Sequence, residues 1–426
     1  MTWRRRLAYA GASVFVILFL LTGFDLFARD DPALLRAKPL IQDQLANFGI
    51  GEKRPEAVYR DTVKDAPKFV AAIMDPEDQR FDRLVCPRPD VSRYEYLIPA
   101  KTTTKKTYVF ALNLINIAHL LPRLMGSIIE AVRFLGPENC MISIVEGHSK
   151  DGTMEILEAL RPEAEKLGVE YHFLRSDITP NDGKRVVHLA ELRNLALEPL
   201  FNNTSAFVKD PTILFLNDVA ICMDDILELT HQRVQLGADM TCAMDWSHLK
   251  AHPTFYDVWV ARSITGNSFF YINATDVNWD HARELFFDDP EGLARFDKNL
   301  PVQVFACWNG AVVFGAKPLL EAGIRFRGAN VGECRMGEPT YLNKDMWYKG
   351  YGKIAVVPTV NLEYDDNHGT WIKEQRGYVT ELIKEQNGTD TIDWKGPPEK
   401  VLCMPGWKDQ TWPAWDDHVD APPNAD

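Results

Sequence analysis

The sequence has no excess of basic residues: 47 Lys and Arg stand against 60 Asp and Glu, a formal net charge of −13. A chain that grips a polyanion carries the opposite balance, so general nucleic-acid binding is excluded. No Cys-x-x-Cys pair occurs among the seven cysteines, Cys86, Cys140, Cys222, Cys242, Cys307, Cys334 and Cys403. Without that spacing a structural zinc site is not expected. The seven thiols leave room for one to three lumenal disulfides, with no pairing assignable from the sequence. Cys222, Cys242 and Cys307 lie in or beside strand-like apolar runs and read as small buried hydrophobes. Internal repeats and low-complexity tracts are also missing. With 46% hydrophobic and 25% charged residues, disordered and fibrous classes are excluded. The 426 residues fit one large α/β domain with appendages, or two domains around a cleft.

Only two runs of eighteen residues lack a charge, 7–24 and 299–316, and the second is interrupted by Asn, Pro, Gln and Gly. Residues 7–24 carry no charge and follow Arg4, Arg5 and Arg6 directly. As a helix they span ~27 Å, against a hydrocarbon core of ~30 Å. The arginines should stay cytoplasmic, which predicts a single-pass type II signal-anchor with the rest of the chain in the Golgi or endoplasmic reticulum lumen. A cleaved signal peptide is the rival reading, although its apolar stretch is normally shorter. Sequons at Asn202, Asn203, Asn273 and Asn387 agree with a lumenal setting.

Residues 1–6 therefore read as a cytoplasmic stub, 7–24 as the anchor, 25–65 as a stem, 66–380 as the lumenal domain and 381–426 as an aperiodic surface tail. Strand-like segments at 107–112, 141–145, 169–174, 212–216 and 238–244 alternate with helical patterns. The helices are 118–135, a segment with apolar Ile156, Leu160, Ala164 and Leu167, then 186–200 and 224–236. That order predicts a mostly parallel sheet with flanking helices and a ligand crevice at the carboxyl ends of its strands. Further on, 303–315 reads as one more buried strand, 339–349 as a helix and 354–360 as a strand.

Several polar residues fall where such a crevice would open. Asn217 and Asp218 end the fourth strand, where a carboxylate could hold a cation or merely start a turn. Asp224-Asp225 opens a helix and reads as its cap. Glu146 and Asp151 flank the loop after the second strand, and Asp151 either binds a nucleoside or caps the next helix. Arg193, in an apolar helix, either reaches a phosphate or pairs with a carboxylate. Asp245-Trp246 follows the fifth strand. Trp308-Asn309-Gly310 interrupts an apolar run, and a buried Asn309 wants a partner. Glu333 precedes Asp345 and Trp347, and His368 follows the last strand. Trp308 and Trp347 are core residues more often than sugar platforms.

Taken together these segments resemble one family. Val145-Glu-Gly-His-Ser-Lys-Asp-Gly-Thr, Phe215-Leu-Asn-Asp-Val, Met244-Asp-Trp, Phe255-Tyr-Asp-Val-Trp-Val-Ala-Arg, Cys307-Trp-Asn-Gly and Glu333-Cys with Asp345-Met-Trp occur in order. Val357-Pro and Tyr364 follow. The chain resembles fungal α-1,3-mannosyltransferases of the cryptococcal capsule-associated type, glycosyltransferase family 69, over roughly residues 66–371.

The resemblance implies a GT-A-like fold, GDP-mannose as donor, Mn²⁺ or Mg²⁺, a mannosylated glycan acceptor and retention of the α configuration. It implies Asp218 and His368 at the metal, and Glu146, Asp151, Arg193 and Asn217 at the nucleotide. Asp245, Asn309, Asp345 and Glu333 would serve the sugars and catalysis. One departure stands out: many GT-A enzymes carry Asp-x-Asp at the strand end, and here Asn217-Asp218-Val219 offers one carboxylate. His368, then Asp245, then Glu146 are the candidates to complete the shell. The alternative is a catalytically degenerate partner in polysaccharide export or in a glycosyltransferase complex. A carbohydrate-binding or hydrolytic module fits the parallel-strand order poorly.

Overall fold

The computed structural model describes residues 55–424 except 181–183, 249–251, 277, 387 and 389–390. The expected anchor at 7–24 and most of the expected stem lie outside these residues. A helix, α1 (Pro55–Met74), begins inside the range read as stem. Among the described residues no helix is long and apolar enough to cross a membrane.

From β1 (Lys106–Leu114) the chain alternates as its apolar periodicity requires. It runs α2 (Leu121–Leu135), β2 (Cys140–Glu146), α3 (Thr153–Leu167), β3 (Glu170–Arg175), α4 (Arg185–Asn202), β4 (Phe207–Leu216), α5 (Met223–Leu236) and β5 (Met240–Ser247). Two short strands follow, β6 (Thr254–Phe255) and β7 (Arg262–Ser263). Then come α6 (Pro290–Phe296), β8 (Val302–Ala306), β9 (Ala311–Gly315), α7 (Lys317–Leu320), α8 (Glu338–Tyr348), β10 (Ile354–Leu362), α9 (Asp366–Arg376) and α10 (Val379–Glu385).

The sheet order is β3-β2-β1-β4-β9-β5-β10-β8-β7, with β6 on β5. The pairs β3–β2, β2–β1, β1–β4 and β5–β10 are parallel, whereas β9 lies antiparallel between β4 and β5. Strands β1 to β5 and β10 therefore run one way, and their carboxyl ends share one edge. The two-residue period of a strand divides the core. Val109 and Ala111 of β1 face a cluster with Ala196 and Leu197 of α4, while Phe110 and Leu112 face one with α2 and α5. Both faces are covered, which is why these strands read as continuous apolar runs.

The segment 303–315 is two strands rather than one. Asn309 and Gly310, at φ +47° and +79°, turn the chain between β8 and β9. Each strand then pairs elsewhere, β8 with β10 and β9 with β4 and β5. The cysteines of the core are likewise cross-links rather than filler. Bonds join Cys86–Cys222, Cys242–Cys307 and Cys334–Cys403, and Cys140 alone is free and buried. The last of these ties down the tail. Most tail residues after Ile392 are exposed, yet Leu402, Cys403, Met404 and Trp407 are buried, and Arg262 donates to the Leu402 carbonyl at 2.9 Å.

Candidate active site

The carboxyl edge of the sheet gathers the functional side chains. At the end of β4 the Asn217 amide donates to Gly310 O at 2.9 Å, and its side-chain oxygen accepts from Trp308 Nε1 at 3.1 Å. Asn217 is therefore spent on the turn between β8 and β9. Asp218 instead reaches solvent. The walls around it strip enough water to push its carboxyl above the ordinary Asp value, against the opposing pull of His119 and Arg193.

Asp245 lies inside β5 rather than after it and is fully buried. Its Oδ2 accepts the Tyr364 phenol at 2.6 Å, and its Oδ1 accepts the Asp257 amide at 3.3 Å. Asp257 accepts the Asn309 amide at 3.1 Å and the Val260 amide at 3.3 Å. Burial raises both carboxyls, Asp245 far above its usual range, and the Asp257 charge adds to the rise at Asp245. Two buried acids in one field cannot both ionise freely, so the pair retains a proton to higher pH than ordinary acids. Asn309 is buried and donates through Nδ2 to Ala243 O at 2.9 Å. In this structure it holds the turn and Asp257.

A third group lies at the same edge. Ala220 donates its amide to Glu363 O at 2.8 Å, joining the loop after β4 to the end of β10. Glu363 is buried and sits 3.1 Å from His248 Nδ1. The rings of His248 and His368 stack with centroids 3.3 Å apart. His248, Glu363 and His368 can each bring one donor atom within 4.8 Å of the others. Two imidazoles and a carboxylate form a mixed donor set suited to a transition-metal cation. The Cys222, Asp224 and Asp225 group lacks that chemistry, because Cys222 is in a disulfide.

Other residues singled out in the sequence are engaged with protein. Arg193 pairs with Glu338 at 2.7 Å and lies 4.3 Å over the Trp308 ring, between Phe215 and Phe326. Glu146 accepts the amides of His148 and Ser149 and thereby shapes the loop after β2. Asp151 accepts from Thr153 at the start of α3 and from the Ala118 amide at 2.8 Å, tying two loops together, while the N-cap position itself is Gly152. Glu333 and Asp345 are brought together with each other. Arg327 bridges them, and Lys344 adds a second cation to Glu333 at 2.7 Å. The cations hold the Glu333 carboxyl below its usual value against burial, whereas at Asp345 burial wins and raises it despite Arg327. At α5 the N-cap position is Cys222, and Asp225 closes a capping box by accepting the Cys222 amide at 2.9 Å, whereas Asp224 is buried with neither oxygen bonded.

Sequence reading passed over Asp257, His248 and Glu363. Asp257 lies in the segment Phe255-Tyr-Asp-Val, but only the fold folds that loop back onto β5. Nothing local marks His248 or Glu363, since their partnership spans 115 residues.

An α/β sheet that gathers carboxylates and imidazoles at its carboxyl edge beneath aromatic side chains has the build of a glycosyltransferase. The family model described as "Cryptococcal mannosyltransferase 1" matches residues 107–345. The chain is 36% identical over 330 residues to the α-1,3-mannosyltransferase CMT1 of Cryptococcus neoformans, covering 72% of this chain and 70% of that protein. The chain belongs to this mannosyltransferase family.

Looser likenesses extend to solved structures. The mannosyltransferase PcManGT from Pyrobaculum calidifontis, in complex with GDP-Man and Mn²⁺, is 11% identical at a TM-score of 0.36, over 73% of this chain and 68% of that one. GalNAc-T7 with UDP, GalNAc and Mn²⁺ is 13% identical at 0.39, over 62% of this chain and 44% of that one.

Proposed function

We propose that the protein transfers mannose from GDP-mannose to a mannose-containing acceptor, forming an α-1,3 linkage with retention, on a GT-A-like framework. Family membership supports mannosyl transfer. The observation that carries the site assignment is the convergence of Asp218, the Asp245–Asp257 pair and the His248–Glu363–His368 group on one sheet edge. A lumenal setting behind a type II anchor, in the Golgi or endoplasmic reticulum, is part of the reading. The uncharged run at 7–24 and the three disulfides support it, since disulfides persist in oxidising compartments.

Asp218, His248, Glu363 and His368 would hold the divalent cation, and the two imidazoles favour Mn²⁺ over the oxygen-seeking Mg²⁺. When bound, the cation would neutralise the diphosphate leaving group. Glu363 is oriented by the Asp365 amide at 2.7 Å, so the imidazoles meet a fixed carboxylate. Asp245 and Asp257, both raised by burial, would act in their ionised form, holding the Tyr364 phenol and the turn at Asn309 at the edge of the crevice. Arg193 fixes Trp308 and, through it, the turn that presents Asp218. The test is incubation of the full-length chain in detergent with GDP-mannose, Mn²⁺ and a panel of mannosides. The expected product is an acceptor one hexose heavier, abolished by chelator. A correctly folded chain that transfers nothing from any nucleotide sugar overturns the reading in favour of a degenerate partner.

A further inference from the structure

Tyr256 and Trp259 are 45% and 43% exposed, although large aromatic rings are ordinarily drawn out of water. Each is braced from behind by an aromatic that is itself fixed. The Tyr256 ring packs 5.3 Å from Tyr364, the phenol bonded to Asp245. Trp259 lies 6.5 Å from Trp407, whose own indole N–H donates to Asn273 O and Asp276 O and whose ring packs on Trp279 at 5.4 Å. Asp257, between the two, ties down the turn by accepting the Val260 amide, and Ala261 donates to Asp257 O at 3.1 Å. The rings are therefore presented outward by a braced turn and are not idle surface residues.

We propose that Tyr256 and Trp259 form a stacking platform for the acceptor glycan, leading outward from the crevice. The proposal rests on the mannosyltransferase reading above and assigns that site its acceptor side. Three observations select a neutral carbohydrate as the occupant. The platform is continuous with the crevice through Tyr256 and Tyr364, where an acceptor hydroxyl has to arrive for transfer. Burial, and after it the charges of Asp245, Asp257, Asp218 and Glu363, push the pKa of the Tyr256 phenol up, and carboxylates gathered behind the platform make it unsuited to an anionic acceptor such as nucleic acid or anionic lipid. The face of a hexose suits an aromatic ring, while its rim of hydroxyls suits the carboxylates beside it. Among the described residues no hydrogen bond engages the Tyr256 hydroxyl or the Trp259 indole N–H, in contrast to the indole of Trp407.

The experiment uses the full-length chain in detergent with an α-linked mannotriose as probe. Equilibrium binding of the mannotriose in the presence of GDP and Mn²⁺ is read by ligand-observed NMR, and initial rates with GDP-mannose are measured in parallel. Trp259→Ala should weaken mannotriose binding and raise its KM about 10-fold, the size of one lost aromatic contact. The KM for GDP-mannose and the thermal shift produced by GDP should stay within 2-fold and unchanged respectively. Trp259→Phe should recover most of the loss, and Tyr256→Phe, which keeps the ring, should bind the mannotriose as the parent does. Unchanged mannotriose binding in Trp259→Ala, with the GDP shift intact, overturns the platform and assigns these rings to a protein partner. If the parent chain neither transfers mannose nor shifts with GDP, the donor reading fails separately. The mannotriose measurement still decides the platform.

Discussion

Tyr364 and Asp245, 119 residues apart in sequence, meet in a 2.6 Å hydrogen bond in which the phenol donates to the carboxylate. The bond is one of the forces that favour ionised Asp245, against burial and the charge of Asp257. Burial and neighbouring carboxylates hold the phenol itself protonated, so it remains a donor throughout the working range.

Tyr364→Phe should therefore raise the Asp245 pKa further. The charged form loses a donor and nothing replaces it. The proton on the carboxyl pair would persist to higher pH, and the acid limb of the kcat/KM profile should move toward alkaline pH. Transfer at neutral pH should fall roughly 10–100-fold, in keeping with one lost orienting hydrogen bond at an active site. A pH profile that superimposes on the parent would separate Tyr364 from the chemistry.

Asp218→Asn removes a formal charge at the end of β4 while nearly preserving shape. Transfer should drop by ~10²–10³, the usual loss for a preorganised charge-stabilising group. Because Asp218 is exposed and bonded to no core residue, the melting temperature should hold within a degree or two. His248→Ala and His368→Ala give the companion test by calorimetric titration of Mn²⁺. If the three donors share an ion, each change should weaken Mn²⁺ about 10–100-fold. Full Mn²⁺ affinity in both histidine variants would move the metal elsewhere.

The contrast between β4 and the turn at Asn309 shows what was legible in the sequence. β1 to β5 are continuous apolar runs separated by helical periods, so local pattern alone places them and puts Asp218 at a crevice. The run 303–315 is just as apolar, but two positive-φ residues in its middle send its halves to different neighbours, and composition does not record that. Charged residues behave similarly. A carboxylate bound by Arg327 and one left open to solvent look alike in a sequence, which is why Glu333 and Asp345 could be read with Asp218. Asp257, His248 and Glu363 become visible only when loops distant in the chain close over the sheet.

The disulfide Cys334–Cys403 should account for the order of the tail. It closes a loop across a sequence separation of 69. The chain-entropy relation puts the stabilisation at about 4 kcal/mol for such a loop. It also sits beside Glu333, whose network reaches the tail through Lys344 and the Asp417 carbonyl. Replacing both cysteines with serine should lower the melting temperature by several degrees and make the segment after Ile392 the first site of proteolytic nicking. Equal resistance to protease in both forms would show that packing around Leu402 and Met404 alone holds the tail.

Asp224 supplies the sharpest pH test. It is 1% exposed, neither oxygen is hydrogen-bonded, and burial with the adjacent Asp225 pushes its pKa up to about 7, despite Lys373 nearby. Lys373 is committed to Asp225, and the Tyr94 and Tyr378 phenols complete the surroundings. In the unfolded chain the same carboxyl loses its proton near pH 4. Between those values the folded state binds the extra proton, so stability falls as pH rises through the window and stays low above it. The charged form should cost on the order of a few kcal/mol by pH 8, reduced by whatever water or rearrangement reaches it. Asp224→Asn removes the titration and keeps the volume. Its amide is still poorly bonded, so the variant should match or fall slightly below the parent at pH 4. At pH 8 it should exceed the parent, with the difference in melting temperature growing steadily between. A difference that does not change with pH would mean that Asp224 is ionised and partnered at neutral pH, and that its burial carries no proton linkage.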